Sequence, residues 1–281
     1  MRIGRGRESS NVEDRRGMRF GGKSIGLGTI VLALVAMYFG VDPSIVLQGG
    51  SDLPVQQQQG PAPAPPADDE AARFVSQVLA DTEDTWRELF KRNGMQYRDP
   101  KLVLFSDATP TACGTGQAAM GPFYCPSDQK VYIDLSFYRD LQTRFRAPGQ
   151  MAQAYVIAHE VGHHVQNQLG IADKVRQLQA QSRDQARANA LSVRMELQAD
   201  CFSGIWAYHA NRTRQILEQG DLESALTAAA AIGDDRLQRQ TQGRIVPESF
   251  THGSSEQRVS WFRRGFQSGD LRQCDTFSGS V

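Results

Sequence analysis

Apolar residues recur at helical spacing through most of the chain after residue 70. In residues 71–91, for example, Phe74, Val78 and Trp86 fall on one side of a helix, which predicts an amphipathic element. The same kind of pattern predicts helices at 150–169, at 172–211 as one or two helices, at 222–239 and at 254–267. Gly170 can end the helix at 150–169. The predicted domain is therefore mainly helical.

Short apolar runs bounded by turn residues predict a small antiparallel sheet in the same domain. Residues 101–105 (KLVLF) predict one strand, and residues 123–125 and 130–135 predict two more. The last two are joined by Pro126-Ser127-Asp128-Gln129, a sequence typical of a turn. Helices together with a small sheet indicate the α+β class.

Residues 25–41 form an apolar run without a charged residue, IGLGTIVLALVAMYFGV. At about 1.5 Å per residue, the run reaches the lower end of what spans a bilayer core. Because residues 1–24 are rich in arginine, we expect one transmembrane helix with a basic cytoplasmic N-terminus. The rest of the chain is then outside the cytoplasm, in the periplasm of a Gram-negative cell. Two alternatives remain open: a cleaved signal peptide, although no A-x-A pattern follows, and a buried helix of a soluble domain.

Residues 42–69 are rich in Pro, Gln, Gly and Ala, which predicts a linker and places the folded domain at 70–281. The chain has 31 basic and 31 acidic residues, so no net charge favours nucleic acid as a partner. The composition therefore indicates that the globular domain at 70–281 is the functional part of the chain.

The four cysteines all lie in the predicted outer domain, where an oxidising compartment favours disulfides. Four cysteines allow three pairings, and four free buried thiols are the alternative. We favour Cys113 with Cys125, which closes a small Gly-rich loop, and Cys201 with Cys274, which ties the C-terminal tail to a helix.

Candidate chemistry is concentrated in the sequence AHEVGHHVQNQL at 158–169. His159 and His163 are four residues apart, so both imidazoles leave one face of the predicted helix, as two ligands of one zinc ion require. Glu160 points about 100° around the helix, beside the ligands, where a general base for the attacking water belongs. A polar helix face without a metal is the alternative interpretation of the two histidines.

A third ligand is expected from the sequence MELQADC at 195–201. Glu196 and Asp200 share one face of a helix whose neighbours are apolar, and unpartnered buried carboxylates are costly. We therefore expect Glu196 to be the third zinc ligand and Asp200 to accept the second N–H of a ligand histidine. A pair of surface acids is the alternative.

These motifs together resemble the gluzincin pattern of HExxH with a downstream ExxxD. More closely, the chain resembles the bacterial neutral zinc metallopeptidases over nearly its whole length, in segments that include GPFYCPSDQKVYIDLSFY, AIGDDRLQ, PESFTHGSSEQR and WFRRGFQSGD. The resemblance implies a membrane-tethered zincin-like domain with one zinc per chain on the positions named above. It also suggests His252, in a Thr-His-Gly stretch, as a donor to the developing oxyanion. The alternative is that His252 caps the next helix.

The expected function is zinc-dependent hydrolysis of peptide bonds, with Glu160 activating the water and a peptide or protein as substrate. Residues 131–135 are expected to offer a strand edge to an extended substrate. Two other functions stay open: a zinc-binding, membrane-tethered adaptor or chaperone with little turnover, and a hydrolase of a non-peptide amide.

Overall fold

The computed structural model describes residues 1–4, 6–18 and 63–279 of the 281-residue chain. Helices predominate in this part of the chain, with bounds α1 Glu70–Arg92, α2 Ser136–Thr143, α3 Gln150–Gln168, α4 Ile171–Gln181, α5 Gln185–Arg214, α6 Asp221–Ala231, α7 Asp234–Gln242 and α8 Ser255–Ser268. The strands are β1 Val12–Asp14, β2 Lys101–Phe105, β3 Ala108–Thr111, β4 Gly114–Gln117, β5 Phe123–Cys125 and β6 Lys130–Asp134. The predicted mainly helical α+β fold is confirmed.

The helix ends follow from local capping groups. The Asp69 carboxylate accepts a hydrogen bond from the Ala72 N–H at 2.9 Å, so α1 begins one residue before the predicted bound. At the end of α3, Gly170 has a φ of +73°, a left-handed conformation that favours glycine. The predicted helix at 150–169 therefore ends where the sequence indicated.

The sheet has the strand order β1-β2-β6-β5, with β1, β2 and β6 parallel and β5 antiparallel to β6. A separate antiparallel hairpin pairs β3 with β4. The predicted antiparallel pairing is thus present, while the parallel pairs were not predicted. Because β6 lies between β2 and β5, the prediction that residues 131–135 form an open edge was wrong. The edge on that side is β5.

The single helix predicted at 222–239 is two helices, α6 and α7, and that prediction was wrong. The chain leaves the helical path at residues 232–233 because the Asp234 N–H donates to the Gly253 carbonyl at 2.9 Å instead of continuing the α6 ladder. The Asp234 carboxylate in turn accepts backbone N–H groups of residues 251–253. This contact with a distant loop is not visible in the local hydrophobic pattern.

The N-terminal segment, defined as residues 1–4 and 6–18, contacts the main domain. Its strand β1 pairs with β2 in the register Val12 with Leu102, and Ile3 and Val12 are buried in the common core. The hydrophobic pattern did not predict this strand.

A glycine allows α8 and α5 to cross closely beneath the candidate site. A Cβ at Gly265 on α8 would lie 1.9 Å from the carbonyl oxygen of Cys201 on α5, so no larger residue fits there. The close crossing brings Arg258 of α8 against Asp200 of α5. Two helices therefore supply polar groups to one buried location.

The predicted transmembrane run at 25–41 lies outside the described residues, as do residues 42–62 of the predicted linker. Among the helices that the structure does describe, none is long and apolar enough to cross a membrane.

Candidate metal centre

Helices α3 and α5 bring the two sequence motifs face to face. A Cβ at Gly162 on α3 would lie 3.0 Å from the Ala199 carbonyl oxygen, so this glycine permits the close crossing. His159 and His163 leave α3 on one face, and Glu196 leaves α5 toward them. One ligand atom from each of these three residues lies within 4.8 Å of the others.

The distances match a tetrahedral zinc site. His159 Nε2 lies 3.1 Å from Glu196 Oε2, and His163 Nε2 lies 3.3 Å from Glu196 Oε1. Two ligand atoms at about 2.0–2.1 Å from one zinc ion, at the tetrahedral angle, are about 3.4 Å apart. The three side chains can therefore bind one zinc ion with little movement.

The outer hydrogen bonds also favour a cation between these groups. His159 Nδ1 lies 2.9 Å from Asp200 Oδ1, and His163 Nδ1 lies 2.8 Å from Gln166 Oε1. A neutral imidazole that donates from Nδ1 has a lone pair on Nε2, and both Nε2 atoms face the Glu196 carboxylate. Only a proton or a metal cation satisfies that arrangement, so the donor set fits zinc.

The charges around His159 and Glu196 also favour a cation at this site. Burial lowers the pKa of His159, but Asp200 and Glu196 outweigh burial and raise that pKa to about 10. Burial raises the pKa of Glu196, yet His163 and His159 together hold it well below its usual range. The site is thus built to concentrate negative charge that a cation compensates.

Asp200 is held from three sides. Its carboxylate accepts hydrogen bonds from Arg258 Nε at 2.9 Å, from Arg258 Nη2 at 3.1 Å and from the Tyr155 hydroxyl, besides contacting His159. Asp200 is fully buried and Arg258 is 2% exposed. Arg258 therefore fixes the carboxylate that orients His159.

Glu160 lies beside the ligands and is not part of the three-residue group. It is buried and lines the same cleft as His159 and His163. Burial raises the pKa of Glu160 and exceeds the opposing effect of the two histidines. A carboxylate with a raised pKa accepts a proton more readily, which suits a general base.

The ligand atoms open into a cleft of about 900 Å³. Its lining includes the apolar side chains of Phe137, Phe145 and Ile232, and the edge strand β5 contributes Phe123 and Tyr124. The cleft is large enough for several residues of an extended chain, as peptide grooves require.

His252 also lines this cleft. Its Nδ1 lies 3.1 Å from Asp234 Oδ1, and the side chain is half exposed. Ser254, not His252, caps α8, because its hydroxyl accepts the Gln257 N–H while the Gln257 side chain accepts the Ser254 N–H. The capping alternative for His252 is therefore wrong.

The structure contains two disulfides, Cys113–Cys125 and Cys201–Cys274, which are the pairs favoured by the sequence.

Sequence reasoning did not identify Tyr155, Gln166, Asp234 or Arg258. Gln166 lies three residues after His163, a helical spacing that could have indicated it. Asp234 and Arg258 lie in the resembling segments AIGDDRLQ and PESFTHGSSEQR, but only the fold brings them to the site.

The chain is similar to known proteins over most of its length. A family model described as "Putative neutral zinc metallopeptidase" matches residues 1–277. Uncharacterized protein YpfJ of Escherichia coli (strain K12) is 56% identical, with 98% of each chain covered. Uncharacterized protein Rv2575 of Mycobacterium tuberculosis (strain ATCC 25618 / H37Rv) is 42% identical, over 87% of this chain and 86% of the relative. No solved structure matches the chain at a significant level.

The family match covers the N-terminal segment, the HEVGH helix and the ELQAD helix together, so it joins all of the features described above. This chain belongs to the family of putative neutral zinc metallopeptidases.

Proposed function

We propose that this protein is a zinc-dependent peptidase that binds one zinc ion per chain through His159, His163 and Glu196. The observation that carries the proposal is the position of Glu160, a buried acid that lines the cleft beside the three ligands without joining them. A domain that only binds metal has no need of an acid in that place.

A zinc ion held by His159, His163 and Glu196 would supply a Lewis acid for the scissile carbonyl and for a water molecule. Glu160 takes a proton from the attacking water and then passes it to the leaving amine. Asp200 and Gln166 keep the ligand histidines in the tautomer that offers Nε2 to the metal.

His252 is proposed as the donor to the oxyanion that forms on the substrate carbonyl. The hydrogen bond to Asp234 outweighs burial and raises the pKa of His252. The Asp234 carboxylate accepts from Nδ1, which leaves Nε2 for the cleft. An imidazole held in this way can donate to a developing negative charge.

The proposed substrate is an unfolded or extended peptide segment. Strand β5 is the last strand of the sheet on this side in the described part of the chain, so its outer edge is the proposed partner for substrate backbone, beside the apolar side chains of the cleft. Large apolar side chains of the substrate can contact Phe137 and Phe145 there. This edge replaces the one first expected at residues 131–135.

The membrane anchor stays a prediction, because residues 25–41 lie outside the described residues. The two disulfides favour an oxidising compartment for the domain.

The proposed activity is tested by metal removal. Purified protein is expected to hydrolyse an unfolded protein substrate, to lose that activity with a chelator and to regain it when one equivalent of zinc is returned. The control is His163→Ala, which should not regain activity with zinc. Hydrolysis that persists in the chelator, or that His163→Ala retains, contradicts the proposal.

A further inference from the structure

Two buried glutamines connect the metal centre to the C-terminal tail. His163 directs Nε2 toward Glu196 and Nδ1 toward Gln166 Oε1, at 2.8 Å. Gln166 is fully buried and Gln198 is 5% exposed, so water does not replace their hydrogen bonds. The orientation of each amide therefore affects the hydrogen bond that His163 makes through Nδ1.

The hydrogen-bond partners fix the orientation of both amides. The Gln166 amino group donates to the Met195 carbonyl at 2.7 Å and to Gln198 Oε1 at 3.1 Å. The Gln198 amino group donates to the Cys274 carbonyl at 2.9 Å. Flipping either amide would place oxygen against oxygen, so Gln166 must present its oxygen to His163.

An oxygen acceptor at Nδ1 requires that Nδ1 of His163 carry the proton. The neutral ring then keeps its lone pair on Nε2, the atom that faces the other ligands. The direction of donation runs from Gln198 to the Cys274 carbonyl, from Gln166 to Gln198, and from His163 to Gln166. The tail thus orients Gln198, and Gln198 together with the Met195 carbonyl orients Gln166.

The Cys274 carbonyl is itself held in place. The disulfide to Cys201 attaches the tail to α5, and Thr276 donates from its hydroxyl to the Arg194 carbonyl at 2.7 Å. We propose that Gln166 and Gln198 are positioning residues that set the tautomer and orientation of His163 from the disulfide-held C-terminal tail. This proposal rests on the proposed zinc binding by His163.

The test measures zinc affinity of the full-length protein by competition with a chromophoric chelator. Gln166→Met keeps the side-chain volume but removes the acceptor, and we expect its zinc affinity to fall about 10–100-fold. Gln198 contacts His163 only through Gln166, so Gln198→Met should show a smaller loss of zinc affinity, of at least about threefold. The matched control is Gln77→Met, a buried glutamine on α1 away from the centre, which should bind zinc like wild type.

A third variant tests the role of the tail. Cys201→Ala combined with Cys274→Ala should weaken zinc binding, and adding Gln198→Met to that pair should cause little further loss. Wild-type zinc affinity in both Gln166→Met and Gln198→Met would overturn the proposal. It would also be overturned if the loss of zinc affinity from the two cysteine substitutions and the loss from Gln198→Met simply added. Failure of the wild type itself to bind zinc would contradict the proposed function and this proposal with it.

A separate observation concerns the N-terminal segment. Glu83 on α1 is fully buried, and the N-terminal segment supplies the hydrogen bonds to its carboxylate, from Arg7 at 2.6 Å, from the Ser9 hydroxyl and from Asn11 at 2.9 Å. A buried carboxylate without such partners is strongly unfavourable. The parallel pairing of β1 with β2 adds backbone bonds, including Leu102 N–H to the Asn11 carbonyl at 2.9 Å. The main domain is therefore completed by this segment.

The residues that precede position 19 and those that follow position 62 are in contact with each other. The Asp14 N–H donates to the Pro63 carbonyl at 2.8 Å, and Arg16 pairs with Asp69 at 2.7 Å. We infer that the N-terminal segment and the domain fold together in one compartment. On this inference the N-terminal segment and the domain lie on the same side of a membrane, not on opposite sides as first expected, and the disulfides favour the oxidising side.

Labelling of single introduced cysteines tests this inference on the full chain in spheroplasts. Ser10→Cys reports on the N-terminal segment and Lys91→Cys on the domain, and both positions are exposed. With a membrane-impermeant thiol reagent, both should react equally before permeabilisation. Reaction of Lys91→Cys alone, with Ser10→Cys reacting only after permeabilisation, would overturn the inference.

Discussion

Arg258 gives the sharpest prediction about how the metal centre is built. It is 2% exposed, and its guanidinium donates to both oxygens of Asp200 and to the Tyr155 hydroxyl at 3.2 Å. Replacing Arg258 with Met keeps most of the side-chain volume and removes the positive charge. Asp200 then remains a buried carboxylate that has lost the guanidinium and keeps only His159 and the Tyr155 hydroxyl as partners.

The expected cost follows from the burial of the pair. Removing one partner of a buried ion pair costs about 3–5 kcal/mol, because the other charge is left uncompensated. For a domain of about 200 residues, each kcal/mol lowers the melting temperature by about 2–4 °C, so Arg258→Met should melt about 6–20 °C lower. The measurement is thermal unfolding with chelator present and the disulfides intact.

Arg272 is the matched control, since it also pairs with an aspartate but its side chain is 88% exposed. An exposed pair is screened by solvent and contributes little to stability, so Arg272→Met should melt close to wild type. If Arg258→Met lowered the melting temperature no more than Arg272→Met, the assigned role of Arg258 would be wrong.

Three further predictions concern the ligands, the Asp234–His252 pair and the disulfides. Glu196→Ala should abolish tight zinc binding and Asp200→Ala should weaken it about 10–100-fold, and full zinc content in Glu196→Ala would remove it from the ligand set. The pKa of Asp234 is lowered because hydrogen bonds from His252 and the backbone outweigh burial, so its stabilisation is present above the unfolded carboxyl pKa and lost as pH falls. Asp234→Asn should therefore flatten the loss of stability as pH falls below about 4, the ordinary carboxyl pKa, and an unchanged profile would contradict this. Peptide mapping without reductant should recover Cys113 linked to Cys125, whereas alkylation of both thiols would contradict the pairing.

The sequence predicted the parts of the fold that depend on neighbouring residues. The helix with His159 and His163 could be placed because the apolar period is local and Gly170 ends it. The face shared by Glu196 and Asp200 follows from the same period. The candidate ligands therefore follow from the local sequence pattern alone.

Contacts between distant segments could not be predicted in this way. The parallel partner of β2 is a three-residue strand near the start of the chain, too short for a periodic signal. That β6 lies inside the sheet depends on strand order, which hydrophobic alternation does not encode. Arg258 reaches the metal centre only because α5 and α8 cross closely at glycines.

The most direct test of the central claim is Glu160→Gln, with zinc content and peptide hydrolysis measured on the same preparation. The amide that replaces the carboxylate cannot accept the proton of the attacking water, and general-base catalysis contributes about 10²–10⁴-fold. The account predicts zinc content equal to wild type and hydrolysis of an unfolded protein slower by at least that factor. Hydrolysis at the wild-type rate with zinc bound would contradict the role of Glu160, and loss of zinc would place Glu160 among the ligands instead.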